Sequence, residues 1–142
     1  MSSHEKMYLV NFGAKLSDEV LEAVRTDVKA ETIEQIIKKV NLDLSKNPYL
    51  QIHDCIFSVK KYLLGACPVV INLPGLPIAV AFICNEIEAL TGKPPVIVFT
   101  SRDVSKEGYF SDFKFKRLFS LSYERVSTRE RWKNNCEDEI EK

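Results

Sequence analysis

Apolar residues along this chain come in short blocks whose period changes from one block to the next. Lys6 to Ala14, KMYLVNFGA, is a compact apolar run closed by Gly13, as a short buried strand would be. Ser17 follows as a helix N-cap, with Asp18 and Glu19 in the first turn, where the helix dipole favours anions. Val20, Leu21, Val24 and Val28 share one helical face, which predicts a helix from Ser17 to Val28. The next block, TIEQIIKKVNLDLS, supports two readings. Ile33, Ile36, Ile37 and Val40 fit a helix, while Val40, Leu42 and Leu44 alternate; a strand ending at Leu44 is the expectation drawn from it.

Asn47-Pro48 then opens a second helix, because proline is tolerated in a first turn and asparagine caps it. Leu50, Ile52, Ile56, Phe57, Val59, Leu63 and Leu64 form its apolar stripe, and Gly65 stops it. Pro68 to Asn72 is apolar without alternation, as in a central parallel strand covered on both faces. Pro77 to Leu90 reads as a third helix with Gly92 as its C-cap, and Val96 to Thr100 as another buried strand. Strands alternating with helices, joined by right-handed crossovers, give an α/β fold of three layers around a mainly parallel central sheet. After Arg102 the pattern weakens: SKEGYFSD reads as loop, FKFKRLFSL as a further strand and SYERVSTRERW as a final helix.

The length of 142 residues suits a single domain spanning residues 1–142, with 1–5 and 135–142 expected to be disordered tails. Hydrophobic residues at 45% and charged residues at 28% fit an ordinary globular chain, and no apolar run reaches a membrane span. MSSHEK lacks the features of a secretory signal, so the expected compartment is the cytoplasm. Twenty basic and twenty acidic residues cancel, which argues against holding long nucleic acid through a general positive field. The distribution is uneven: Lys114, Lys116, Arg117, Arg125, Arg129, Arg131 and Lys133 face only Glu124 and Glu130, before CEDEIEK turns acidic. Cys55, Cys67, Cys84 and Cys136 form no C-x-x-C pair and sit near no histidine cluster, so no metal site is expected and buried free thiols are.

Three strand ends are candidates for a ligand site, since open parallel sheets bind outside the carboxyl ends of their strands. They are Asn11-Phe12-Gly13, Asn72-Leu73-Pro74-Gly75 and Thr100-Ser101-Arg102. Backbone N–H groups at a helix N-terminus hold anions, and glycine admits close approach. Pro74 and Gly75 serve equally well as a plain tight turn. Asn72 can donate and accept toward a base or ribose, and Arg102 can fork onto a phosphate. Neither G-x-G-x-x-G nor G-x-x-x-x-G-K-[ST] occurs, so no dinucleotide cofactor or nucleoside triphosphate is indicated. His53, beside Asp54 in the second helix, reads as a partly exposed helical histidine with no nucleophile near it, so no catalytic set is assigned.

The strand "LVNF", the turn "VVINLPGLP", the helix "IAVAFICNEIEALTG" and the segment "KPPVIVF" together resemble the small stand-alone CARF-like proteins of type III CRISPR systems, over about Met7 to Phe99. The resemblance implies a Rossmann-like, CARF-like domain that pairs with a second copy and binds a cyclic oligoadenylate across subunits, cyclic tetra-adenylate foremost. The family's Ser-His after the first Asn-Phe is replaced here by Gly13-Ala14, which weakens the case for catalysis more than for binding. Phe12 either stacks on adenine or fills the core. The expected function is antiviral-defence signalling damped by sequestering the messenger. The alternatives are a metal-independent ring nuclease using the ribose 2′-hydroxyl, and a protein-interaction module docking an acidic partner on Lys114 to Lys133.

Overall fold

The computed structural model describes residues 4–141, with side chains as far as Cys136. The elements run β1 (His4–Asn11), α1 (Asp18–Val28), β2 (Ala30–Ile37), α2 (Pro48–Leu63), β3 (Val69–Asn72), α3 (Pro77–Thr91), β4 (Val96–Ser101), β5 (Lys114–Ser120) and α4 (Leu121–Glu141). They build one five-stranded sheet in the order β2-β1-β3-β4-β5. The first four strands are parallel and β5 runs antiparallel along β4. The architecture is a Rossmann-like α/β layering.

Alternation along β1 divides the core between the two faces of the sheet. Met7 and Leu9 pack with Val70 and Val98 against Val20 and Val24 of α1. Val10 and Ile71 point the other way, onto Ile52, Ile56 and Val59 of α2 and Ala79, Ile83 and Ile87 of α3. Burial of both sheet faces is why these strands read as unbroken apolar runs.

The helix boundaries follow their caps. Ser17 accepts from the Val20 N–H at 3.2 Å, Asn47 accepts from the Tyr49 N–H at 2.9 Å, and Gly92 ends α3 at φ 80°, the left-handed region suited to glycine. Arg125 of α4 reaches Glu88 of α3 through two bonds of 2.7 and 3.1 Å, which ties the start of α4 to that layer.

Three boundary expectations are corrected. β2 ends at Ile37, not Leu44: β1 is its sheet neighbour, their register finishes at Asn11↔Ile37, and the Lys38 N–H turns in to the Asn11 carbonyl. Val40 and Leu42 still pack on the core from irregular backbone, which accounts for their alternation. His4 and Glu5 belong to β1, so they are not a tail; residues 1–3 lie outside the described residues. The last helix does not stop near Trp132 but continues to Glu141, as a segment free of glycine and proline can. The tail expected from residue 135 is therefore helical up to 141, and Lys142 lies outside the described residues.

The thiols also depart from expectation: Cys55, Cys67 and Cys84 are half-buried and Cys136 is exposed. Burial pushes the Cys55 and Cys84 pKa values up, which keeps both as unreactive thiols at neutral pH. Among the described residues no helix is long and apolar enough to cross a membrane.

Candidate functional site

Strand order reverses between β1 and β3, because the chain leaves β1 toward β2 on one side and β3 toward β4 on the other. Loops departing such neighbours go to opposite faces and open a crevice between them. A cavity of about 740 Å³ lies there. Its walls include the β1–α1 loop (Ala14, Lys15, Leu16, Ser17), the end of β3 and the loop after it from Asn72 to Gly75, Thr100 near the end of β4 and Arg102 just after it, and Ser111 to Lys114 leading into β5.

Of the expected residues, Asn72, Leu73, Pro74, Gly75, Thr100 and Arg102 line this cavity, whereas Asn11, Phe12, Gly13 and Ser101 do not. Phe12 is 1% exposed and packs in the α2–α3 core, the second of the two roles open to it from the sequence. Asn11 is equally buried and spends its amide on the chain itself. Its Nδ2 donates to Gln35 Oε1 at 2.9 Å and to the Ala14 carbonyl at 3.0 Å; its Oδ1 accepts from the Gly13 N–H and from Asn72 Nδ2, both at 2.9 Å. Gly13 is required by close approach: a Cβ there would stand 2.5 Å from the Leu73 carbonyl oxygen. Ser101 is taken up in the sheet, where it pairs with Lys114.

The β3–α3 corner has the opposite character. Gly75 is exposed, no heavy atom lies within 4 Å of the position its Cβ would take, and its φ is not positive. Its freedom is therefore space for another molecule and not a backbone requirement. Beyond it, Leu76 is the N-cap of α3 without a side-chain bond, and Pro77 fills the first turn. The helices α1 and α2 have a first-turn amide capped by Ser17 and Asn47, whereas α3 starts without a side-chain cap.

Lys15, Arg102 and Lys114 stand around the crevice against Glu19 and Asp112. The Arg102 guanidinium lies 4.2 Å from the centre of the Phe113 ring, a flat cationic and aromatic surface on the cavity wall. Asp103, next to it, is engaged with Lys116 at 3.0 Å; that bond, with Lys114 adding its charge, holds its carboxyl below the ordinary value. Arg102 is left facing the cavity without that neighbour's carboxylate.

As cavity-wall residues Lys15, Ser111, Asp112 and Phe113 escape sequence reasoning, while Ser17 enters it only as a helix cap and Lys114 only as part of a basic run. Gly108 in SKEGYFSD, at φ 86°, was the available signal for a reversal that brings β5 back antiparallel and places Lys114 opposite Ser101. His53 lies away from the crevice: its Nδ1 is 2.9 Å from Glu86 Oε2, an α2–α3 tie. Burial alone would raise the Glu86 pKa, but hydrogen bonds from His53 and Tyr49 outweigh it and hold the carboxyl below its usual value. Family models, curated proteins and solved structures give no significant match to this chain. The arrangement can orient a small anionic ligand with a planar group through the three cationic side chains on its walls and the Phe113 ring.

Proposed function

We propose that this chain is a CARF-like protein that binds a cyclic oligoadenylate, cyclic tetra-adenylate first, in the switch-point crevice and lowers the free messenger available to type III CRISPR effectors. The observation that carries the reading is the 740 Å³ cavity with Lys15, Arg102 and Lys114 on its walls and the bare Gly75 corner at its edge. Phosphates match the cations, and an adenine matches the Phe113–Arg102 surface. The strand-and-turn resemblance supplies the ring as the particular phosphorylated ligand.

A cavity of this size suits one drug-sized ligand. A ring of four nucleotides is larger, so half of it per protomer, with a second copy across the mouth, is the natural division. Titrating cyclic tetra-adenylate by calorimetry tests the reading, with one ring per two chains expected. Absence of heat at micromolar concentrations overturns it. Chromatography of the same mixture separates holding from cutting: intact ring supports sequestration, and linear product over many turnovers replaces it with ring cleavage.

A further inference from the structure

At one margin of the sheet a long, regular strand is left half paired. β2 is the outermost strand beside β1, and among the described residues no strand pairs with its other side. Its register with β1 holds from His4↔Ala30 to Asn11↔Ile37 without a bulge, and it contains no proline. Backbone N–H and C=O groups alternate in direction along a strand, and the Lys38 N–H bonds the Asn11 carbonyl of β1. The even-numbered residues therefore direct their backbone groups to β1, and Glu31, Ile33, Gln35 and Ile37 turn theirs outward. Ile37 is also 67% exposed, an apolar side chain at the end of that bare edge. Such an edge is a template for another strand unless a bulge, a proline, a very short length or its charges blunt it. Here only the charges remain, and their order is informative.

We propose that β2 of a second copy pairs antiparallel with this edge across a two-fold axis, joining the two sheets into one. An axis that brings two such edges together stands perpendicular to the sheet, so each residue meets one on its own face. Centred on Gln35, it sets Ile33 opposite Ile37, Glu31 opposite Lys39 and Thr32 opposite Lys38. The exposed Ile37 gains an aliphatic neighbour, and the acid at the start of each strand meets a base just past the end of the other. Centred on Glu34, the axis would set Glu34 against itself and Glu31 against Ile37. Parallel pairing in register would set Glu31 against Glu31 and Lys39 against Lys39. Among the described residues Glu31, Lys38 and Lys39 make no ion pair, so they are available for this contact. The pairs Ile33–Ile37, Gln35–Gln35 and Ile37–Ile33 exchange about six backbone hydrogen bonds. A foreign strand would have to bring this order of residues with it, whereas a second β2 carries it already. The pairing lies on the far side of β1 from the crevice and points the two crevices in opposite directions. It is therefore distinct from the copy placed across the mouth and stands without the ligand.

Sedimentation of the full, ligand-free chain over a concentration series tests it. Wild type should reach twice the 16.3 kDa chain mass and go no further. Ile37→Pro removes an outward N–H and the exposed aliphatic contact but keeps the bonds to β1, since proline is tolerated on an edge whose N–H faces solvent. It should raise the dimer dissociation constant about tenfold or more. Glu31→Lys and Lys39→Glu each set like charges opposite one another at both ends of the pair and should weaken it about tenfold. An equimolar mixture of those two, or the double variant E31K/K39E, should restore wild-type affinity. Circular dichroism confirms that each variant is folded, and the charge exchange decides the matter if Ile37→Pro is not. The proposal is overturned if wild type is monomeric throughout, if folded Ile37→Pro dimerises as wild type does, or if exchanging the charges restores nothing. Mass that grows past two chains overturns it in favour of β2 joining the β5 edge of the next copy. A wild-type monomer that takes up an extended peptide at this edge overturns it in favour of a foreign strand.

Discussion

Asn11-Phe12-Gly13 and Asn72-Leu73-Pro74-Gly75 leave neighbouring parallel strands at the same level, since Asn11 and Asn72 pair in register. The first segment turns inward. Phe12 enters the core, the Asn11 amide bonds four groups of its own chain, and Gly13 lies against the Leu73 backbone. The second keeps one amide for the joint, Asn72 Nδ2 to Asn11, and then leads into open space at Gly75. The same residue types thus make a structural joint on one strand and a bare rim on the next. What separates them is the group that lies opposite: a carbonyl facing Gly13, nothing facing Gly75.

The strongest way to break this contrast is Phe12→Ala. Removing a fully buried aromatic side chain leaves a cavity under the β1 end, so a loss of about 3–5 kcal/mol is expected in denaturant unfolding. A loss below about 1 kcal/mol together with abolished ring binding would return Phe12 to the ligand. Asn11→Ala comes next. It strands the Gly13 N–H, the Asn72 amide and Gln35 at a buried junction, at a cost of about 2–3 kcal/mol. A cost within about 0.5 kcal/mol would mean that water replaces those bonds and that the joint is loose.

Gly13→Ala should cost about 1–3 kcal/mol, because its new methyl meets backbone that cannot rotate away. Arg102→Ala should cost at most about 0.5–1 kcal/mol of stability, the worth of an exposed guanidinium over the Phe113 ring. Its expected effect is on the ligand: a lost charge-assisted bond to phosphate weakens ring binding about tenfold or more, measured by calorimetry. Unchanged affinity would move the phosphate to Lys15 or Lys114.

Local signals were legible in the sequence wherever one residue decides the outcome. Ser17, Asn47-Pro48, Pro77 and Gly92 mark helix ends because their capping chemistry is contained within a turn or two. The strand cores were legible because burial on both faces removes polar alternation. The end of β2 was not, since a strand lasts only as long as its neighbour, and β1 finishes at Asn11. The wall formed by Ser111 to Lys114 was hidden for a related reason: its place depends on antiparallel pairing with β4, a contact whose register is set by the bulge near Thr100 and not by any local motif. That Asn11 and Phe12 lie buried and off the crevice wall was not legible either, because burial depends on what the fold brings opposite them.

Gly75→Ala is the mildest substitution in the series and separates the two strand ends most cleanly. The added methyl would meet no atom, and the backbone there is not left-handed, so the folded state bears no new strain. The unfolded chain loses conformational freedom, which by itself stabilises by about 0.4–1 kcal/mol. Stability should therefore hold or rise slightly while ring affinity falls, because the methyl occupies space through which a phosphate would approach the loop amides. Gly13→Ala on the adjacent strand should give the converse pattern: loss of stability, with ligand affinity preserved in the fraction that folds. If Gly75→Ala left affinity untouched, the open corner would be a turn and nothing more, and the crevice would have to hold its anion from the Arg102 side.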